Sequence, residues 1–582
     1  MAPEAVEKPS GMAAGSNRTV AHLVLAALKR HGVEVLIGQS APTRLFLLGP
    51  EYGIKPVMMR TEKAGAMIAD GYARIARKVA VVTAIAGPGA ALLVPGLGEA
   101  FKASIPVVAF VQDVPRNQTD KNPSQEFDHL DLFKPCAKFV RRVDRADRVE
   151  DYIDMAFAVA SSGRPGPVVL MLPPDLFEDA APPSGKRVAS LGSYPIDRML
   201  ADPQAIEAAA ELIASAKNPI VVAGGGVHVS EAYDQLARLQ EVACLPVATT
   251  TMGKGAVAET HPLSLGVVGY VMGKRASSRP HKPIIQRADL VFLIGNRTNQ
   301  NGTDGWSLFP KDAKFIHLDV DSLEVGRNYE AAVRLVGDAK LTLHALNTAL
   351  ERRNLKTRES ARAGLEKEIA KGREEYLRET ASVRESKSSP IRPERVLMEM
   401  AKVITPDTIV IGDASYSTIW VANYLRAQRG GQRFITPRGL AGIGWGFPLA
   451  LGAKLAAPDR PVLYLGGDGA FAHAWAELET ARRHGIRLTA VILNNQVLGY
   501  EKDAEDVHFG QHTDGCHFEA VDHAAIARAC GWNGVRIDDA AALLPALQAA
   551  MTSERQTLLD VVADPAAYPP LTSFDGKLPD VD

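Results

Sequence analysis

The chain has 582 residues, with 66 Lys and Arg against 67 Asp and Glu and a formal net charge of −1. That length exceeds one hydrophobic core and fits three domains, and the mixed charge excludes nucleic acid or an anionic membrane as the main partner. No apolar run is long enough to span a bilayer, and Cys136, Cys244, Cys516 and Cys530 lack metal-ligand spacing, as in a cytoplasmic protein with free thiols.

Residues 1–16 are rich in Ala, Gly, Ser and Pro and lack the apolar stretch of a secretory signal, so a disordered tail is expected there. Apolar runs then alternate with amphipathic helical patterns, which predicts an α/β protein of three doubly wound parallel-sheet domains. Residues 17–185 carry strand-like runs at 33–38, 79–84, 107–111 and 168–172 and close at the linker Ala181-Pro182-Pro183-Ser184-Gly185. Within them, Arg60-Thr61-Glu62 ends a strand and 63–74 reads as the next helix. Residues 196–350 carry runs at 220–223, 290–294 and 315–318, and the charged helical segment 351–388 crosses to a third block, 389–565. That block has runs at 408–411, 462–465 and 489–493, and a Pro-containing tail, 566–582, follows. The first and third blocks are candidates for related α/β units. After the first run of the middle block, Ala223-Gly224-Gly225-Gly226 suggests a dinucleotide loop, without the Gly-x-Gly-x-x-Gly spacing and without an evident acidic partner.

The most specific pattern is Gly467-Asp468-Gly469 followed by Asn494-Asn495. A strand, a helix over 470–484 and a second strand fit between them, so Asp468 and Asn495 fall at the C-terminal ends of neighbouring strands. Open α/β sheets bind ligands there. A carboxylate and an amide oxygen suit a hard cation such as Mg2+ that also takes phosphate oxygens. A bare Gly-Asp-Gly is only a turn; the Asn pair at this distance makes it a site.

These residues, together with Ala69-Asp70-Gly71-Tyr72-Ala73-Arg74, Ala86-Gly87-Pro88-Gly89, Ser104-Ile105-Pro106 and Gly163-Arg164-Pro165-Gly166-Pro167, make the chain resemble the acetolactate-synthase-like group of thiamine-diphosphate (ThDP) enzymes. That group includes acetolactate synthases, 2-keto acid decarboxylases, oxalyl-CoA decarboxylases and 2-hydroxyacyl-CoA lyases. The resemblance implies pyrimidine-binding, central and diphosphate-binding domains in that order. It implies ThDP and Mg2+ as cofactors, with Glu62 on the aminopyrimidine ring and Asp468, Asn495 and the carbonyl of Val497 on the metal. Gly467, Gly469, Ala470, Leu498 and Gly499 would border the diphosphate, and Ile443 would wedge the cofactor into its bent form. Active sites would be shared between subunits of a homodimer or homotetramer.

Departures from the family patterns bear on the reaction. Ser124-Gln125-Glu126 stands where acetolactate synthases carry Phe-Gln-Glu. Arg297-Thr298-Asn299-Gln300-Asn301 keeps only the first Arg of a run near their flavin. Glu501 falls where simple 2-keto acid decarboxylases place an acid–base glutamate, and enclosure there would raise its proton affinity. Gln125 would turn toward the substrate, and Gln39, Ser40, Ser124 and Tyr500 would line its pocket. Arg116-Asn117-Gln118 and Gln125-Glu126-Phe127 are also similar to 2-hydroxyacyl-CoA lyases, with Lys254, Arg275 and Arg297 available for the phosphates of CoA or FAD and the tail after Tyr568 as a lid. The first expectation is therefore a lyase releasing an aldehyde or ketone and formyl-CoA from a 2-hydroxyacyl-CoA thioester. The alternatives are an acetolactate-synthase-like carboligase, a 2-keto acid decarboxylase or a non-catalytic ThDP-binding protein. The central domain is open to FAD, ADP or neither.

Overall fold

Runs of Val, Ile, Leu and Ala bounded by Gly and Pro are buried on both faces when strands run parallel under helices, and such runs form the centres of the sheets. The computed structural model describes residues 18–183, 185 and 187–579; the expected tail at 1–16 and linker residue Ser184 lie outside them. Among the described residues, eighteen strands form three six-stranded sheets, with every strand pairing parallel.

The first sheet contains β1 (Val35–Ile37), β2 (Lys55–Val57), β3 (Ala80–Ala84), β4 (Val107–Gln112), β5 (Phe139–Arg142) and β6 (Val168–Leu172), in the order β2-β1-β3-β4-β6-β5. The middle sheet contains β7 (Pro219–Ala223), β8 (Val247–Thr249), β9 (Ser264–Val267), β10 (Leu290–Ile294), β11 (Lys314–Asp319) and β12 (Ala331–Val336), in the order β12-β11-β10-β7-β8-β9. Read from the other edge, this is the dinucleotide-fold order, with its switch point between β7 and β10. The third sheet contains β13 (Ile409–Gly412), β14 (Phe434–Ile435), β15 (Val462–Gly467), β16 (Thr489–Asn494), β17 (Asn533–Ile537) and β18 (Thr557–Val562), in the order β14-β13-β15-β16-β18-β17. Counted within each sheet, the first and third orders are identical.

The first and third sheets share one core. Helix Glu62–Ala76 lies against helix Gly446–Ala456, and Val82, Met67, Phe447 and Tyr464 belong to the same buried cluster. Small residues make the approach possible. A Cβ on Gly71 would lie 2.1 Å from the Leu449 carbonyl oxygen, and one on Gly452 would lie 2.0 Å from that of Ile68. Only glycine fits such backbone contacts. Two buried carboxylates cross the seam. Glu99 accepts from the N–H groups of Gly439 and Leu440, both at 2.7 Å, and Glu477 accepts from those of Arg60 and Thr61 at 3.2 Å. The middle sheet keeps separate cores, around Val221, Phe292 and Leu343 and around Val222, Leu293 and Phe315.

Two local expectations shift. The strand expected to end at Glu62 stops at Val57. Glu62 instead opens the next helix, where Thr61 caps it by accepting from Ala64 N–H at 3.2 Å. The helix expected over 470–484 is broken into Asp468–Phe471, a 3-10 turn Ala472–Ala474 and Glu477–Arg483.

Candidate active site

β15 and β16 are neighbours, and their C-terminal ends open into a cavity of about 70 Å3. Ile443, Gly467, Asp468, Gly469, Ala470, Asn495, Val497, Leu498 and Gly499 all line it. The resemblance implied a cofactor, or the metal beside it, at each of these nine, and the fold brings every one of them to one cavity. Gly467 faces open space, since a Cβ there would meet nothing within 4 Å. Gly469 has a different reason to be small: a Cβ would lie 2.7 Å from the Phe518 ring.

At the floor, Gln496 adopts a φ of +60°, and this bend turns the Asn495 side chain and the Val497 carbonyl toward Asp468. The Asn495 Oδ1 lies 3.3 Å from Asp468 Oδ1 and 3.2 Å from the Val497 carbonyl oxygen. Asp468 Oδ2 accepts from Gln496 N–H at 2.7 Å. Rotated by half a turn, the Asn495 amide would fill this cluster with its own NH2 group. With Oδ1 turned inward, Asp468, Asn495 and the Val497 carbonyl present three oxygens to one small space, which is the donor set a hard divalent cation takes. Burial pushes the Asp468 carboxyl up to about 6, while the Gln496 N–H works against that. The residues therefore fit Mg2+ and a diphosphate.

The loop carrying Ile443 is held from below by a residue the sequence reading passed over. Asp413, immediately after β13, accepts from the N–H groups of Ala414, Gly444 and Gly446 at 2.8, 2.9 and 3.2 Å and from the Tyr464 hydroxyl at 2.7 Å. Its position just past a strand end, like that of Asp468, was the available signal. A second unforeseen pair flanks the cavity: the Tyr416 hydroxyl donates to Asp503 at 2.5 Å, and Lys502 pairs with the other Asp503 oxygen at 2.8 Å. Tyr500 packs on Tyr416 and on Phe574 of the tail, so the segment around Phe574 lies against the helix Gly499–Phe509.

The first-sheet residues assemble separately. Glu62 is buried, and a Cβ on Gly89 would lie 3.0 Å from its Oε1. Gln125, at a φ of +69°, packs on Gly87, whose N–H donates to His129 Nε2 at 2.9 Å. His129 is thus a structural acceptor, oriented by Asp113 at 3.2 Å. Gln39, Ser40, Ser124 and Gln125 are exposed, and neither Glu62 nor Gln125 lines the cavity below β15. Glu501, in the first turn of its helix, is also exposed, so the enclosure expected around it is absent from the single chain.

The middle sheet opens a cleft of about 130 Å3 at its switch point, lined by Gly224, Gly225, Gly226, Asn296, Arg297 and Asp319 among others. The Asn296 amide nitrogen is buried without a hydrogen-bond partner. Arg297 reaches the Lys102 carbonyl, and burial lowers its pKa. Burial likewise lifts the Asp319 carboxyl to about 6. The other two cations assigned to nucleotide phosphates are elsewhere. Lys254, only 2% exposed, pairs with Glu259 at 2.6 Å and lies 4.9 Å from the centre of the Phe434 ring. The turn ending at Gly253 sends it into the packing between the middle and third regions, where a phosphate does not reach. Arg275 lines a separate crevice with Arg392, Glu394 and Tyr568. Thr250, just past β8, offers a hydroxyl where the dinucleotide fingerprint keeps an acid on the ribose, in line with the incomplete glycine spacing at 223–226.

No helix among the described residues is long and apolar enough to cross a membrane. Family models match in the same order as the three sheets. They are the N-terminal TPP binding domain of thiamine pyrophosphate enzymes over residues 18–132, their central domain over 206–346 and their C-terminal TPP binding domain over 413–561. The probable acetolactate synthase large subunit of Methanocaldococcus jannaschii is 32% identical over 574 residues, covering 96% of this chain and 94% of that one. Acetolactate synthase of Arthrospira platensis is 30% identical over 565 residues, covering 95% of each. The chloroplastic acetolactate synthase of Arabidopsis thaliana is 30% identical over 569 residues, covering 94% and 81%. With the diphosphate cradle, the oxygen cluster and full-length relatedness in agreement, the chain belongs to the thiamine-diphosphate-dependent enzymes of the acetolactate synthase group.

Proposed function

We propose that the protein is a Mg2+- and ThDP-dependent carboligase. It would release CO2 from one 2-keto acid and join the remaining acyl group to the carbonyl of a second, as two pyruvates give acetolactate. The observation that carries this reading is the cluster of Asp468, Asn495 and Val497 oxygens beneath the open face of Gly467, in a chain related to an acetolactate synthase over 96% of its length. The loss of Lys254 and Arg275 from the cleft moves the preference away from the 2-hydroxyacyl-CoA lyase first expected, because two of three phosphate partners disappear with them. Arg297 and the glycines at the switch point fit FAD or ADP in the same cleft.

When bound, ThDP supplies the electron sink beside the reacting carbonyl carbon. Asp468, Asn495 and the Val497 carbonyl would hold the metal, and Ile443 would pack against the cofactor from a loop that Asp413 keeps in register. Glu62 would hold a proton toward the aminopyrimidine of the cofactor. Glu501 serves as the proton carrier on the substrate side once a second subunit encloses it. The cavity below β15 is lined by residues of the third region and of the tail that follows it, and the buried Glu62 of the first region does not line it. Both observations support sites shared between subunits of a homodimer, or of a homotetramer built from such dimers.

The test is a side-by-side assay with ThDP and Mg2+. Pyruvate should give acetolactate, and 2-hydroxyisobutyryl-CoA should give no acetone or formyl-CoA. Formyl-CoA without acetolactate would return the lyase to first place.

A further inference from the structure

A crevice of about 100 Å3 lies between the middle sheet, the helix Lys356–Glu379 and the third region, apart from both the cofactor cavity and the nucleotide cleft. Three guanidiniums line it, each from a different element. Arg373 is on the long helix, Arg384 on the short helix Ala381–Arg384, and Arg426 just past the helix Tyr416–Tyr424.

Their partners leave positive charge unmatched. Arg373 donates to the carbonyls of His261 and Ser264 at 2.6 and 2.9 Å, Arg384 donates to the Met398 sulfur at 2.9 Å and lies over the Tyr376 ring, and Arg426 is exposed. Among the described residues no carboxylate lies within ion-pair distance of any of the three. Neighbours on the same stretch behave differently: Arg362, Arg392 and Arg395 pair with Glu366, Glu394 and Glu399 at 2.7, 2.7 and 2.9 Å. One carboxylate, Glu259, is in the crevice wall, but its Oε2 already accepts from Lys254 at 2.6 Å and from Ala427 N–H at 2.7 Å. His281 is held with both ring nitrogens toward the carbonyls of Leu265 and Ile369. Burial, and then the like charge of Arg426, brings the Arg373 guanidinium down to about 10. An anion between them would relieve that repulsion. The carbonyl end of the helix Tyr416–Tyr424 faces the same space and opposes an anion, but with about half a unit charge against three whole ones.

We propose that Arg373, Arg384 and Arg426 form a binding site for a doubly charged oxyanion, inorganic phosphate or the phosphate monoester of a small metabolite. The guanidinium fork matches phosphate oxygens in pairs. The ligand would tie the long helix to the third region. It would also bear on the cofactor cavity, because one helix serves both sites: Tyr416 and Trp420 line the cavity, and Asn423 and Tyr424 line the crevice. Binding at the two sites is then coupled in both directions.

The experiment uses the full chain saturated with ThDP and Mg2+, so that the diphosphate cavity is filled. Inorganic phosphate and glucose 6-phosphate are titrated separately at ionic strength held constant with chloride, and binding is read by calorimetry. At least one should bind saturably. Arg384→Gln and Arg426→Gln should each weaken that binding by about tenfold or more, with turnover in the absence of phosphate unchanged. Tighter binding of phosphate identifies the free ion as the ligand, and tighter binding of glucose 6-phosphate identifies a monoester. Absence of saturable binding for both, or variants that bind like the wild type, would overturn the proposal.

Discussion

The first and third regions fold on the same strand order, yet their loops carry different functional groups. Past β15 the third region places Asp468, and past β16 it places Asn495, so its strand ends gather oxygens around a small space. Past β3 the first region places Ala86 and Gly87, and its acid, Glu62, starts the helix that follows β2. The contrast extends to the strand beside it. The residue after β13 is Asp413, which organises the Ile443 loop; the residue after β1 is Gly38, where a Cβ would lie 2.0 Å from Thr83 Oγ1. A shared scaffold fixes where loops emerge, and the residues on those loops decide what is bound.

Changes on the two regions should therefore fail differently. Glu62→Gln is expected to lower turnover by about 10²–10⁴-fold while ThDP uptake, followed by fluorescence quenching, persists. Asp468→Asn should instead weaken Mg2+-dependent ThDP uptake by about 10²-fold, read by the same titration. Mixing the two inactive variants after reversible dissociation sharpens the point. Sites shared across a dimer would recover about a quarter of wild-type activity by random pairing, and sites contained in one chain would recover none.

The next effect concerns stability. Burial raises the Asp413 carboxyl from 3.8 to about 6, so the folded state holds that proton more tightly than the unfolded one. Such a group adds stability that is complete below the unfolded pKa and is lost as pH rises through the folded one. Cofactor-free protein should lose on the order of 3 kcal/mol from this group between about pH 4 and pH 6. Urea unfolding of Asp413→Asn should lack that share of the slope. An unchanged slope would show that another group titrates there. The smallest effect is expected from Ile443→Ala. Turnover should drop by about tenfold through poorer cofactor orientation, with the unfolding midpoint unaltered because Ile443 is only half-buried.

Most of the sheet centres were legible in the sequence, and the reason is burial. The runs at 168–172 and 290–294 coincide with β6 and β10, all of whose residues are buried. Edge strands were harder to see. Phe139–Arg142 leaves Arg141 exposed, and Asn533–Ile537 exposes Val535 and Arg536, so neither reads as an apolar run. Thr557–Val562 is interior, but Asp560 interrupts it. That carboxylate is fully buried and accepts from Asn494, His523 N–H and Arg536 at 2.9, 3.0 and 2.8 Å. The gathering of residues past β15 and β16 at one cavity was legible because they fall in two short motifs. Asp413, Tyr416 and Asp503 were not, because their roles come from contacts with residues distant in the chain. Lys254 shows the converse hazard, since a basic residue near a loop looks available until its ion pair is seen.

The two carboxylates at the seam, Glu99 and Glu477, constrain any attempt to dissect the molecule. A fragment beginning at residue 389 would retain Asp468, Asn495 and Val497. It would still leave the N–H groups of Gly439, Leu440 and Ala441 without the acceptor that orders the segment leading to Ile443. The complementary fragment would lose the anchor on Arg60 and Thr61 at the very start of the Glu62 helix. Each piece depends on the other for the carboxylate that orders its loop, so domain-swap chimeras of this protein should exchange the first and third regions together.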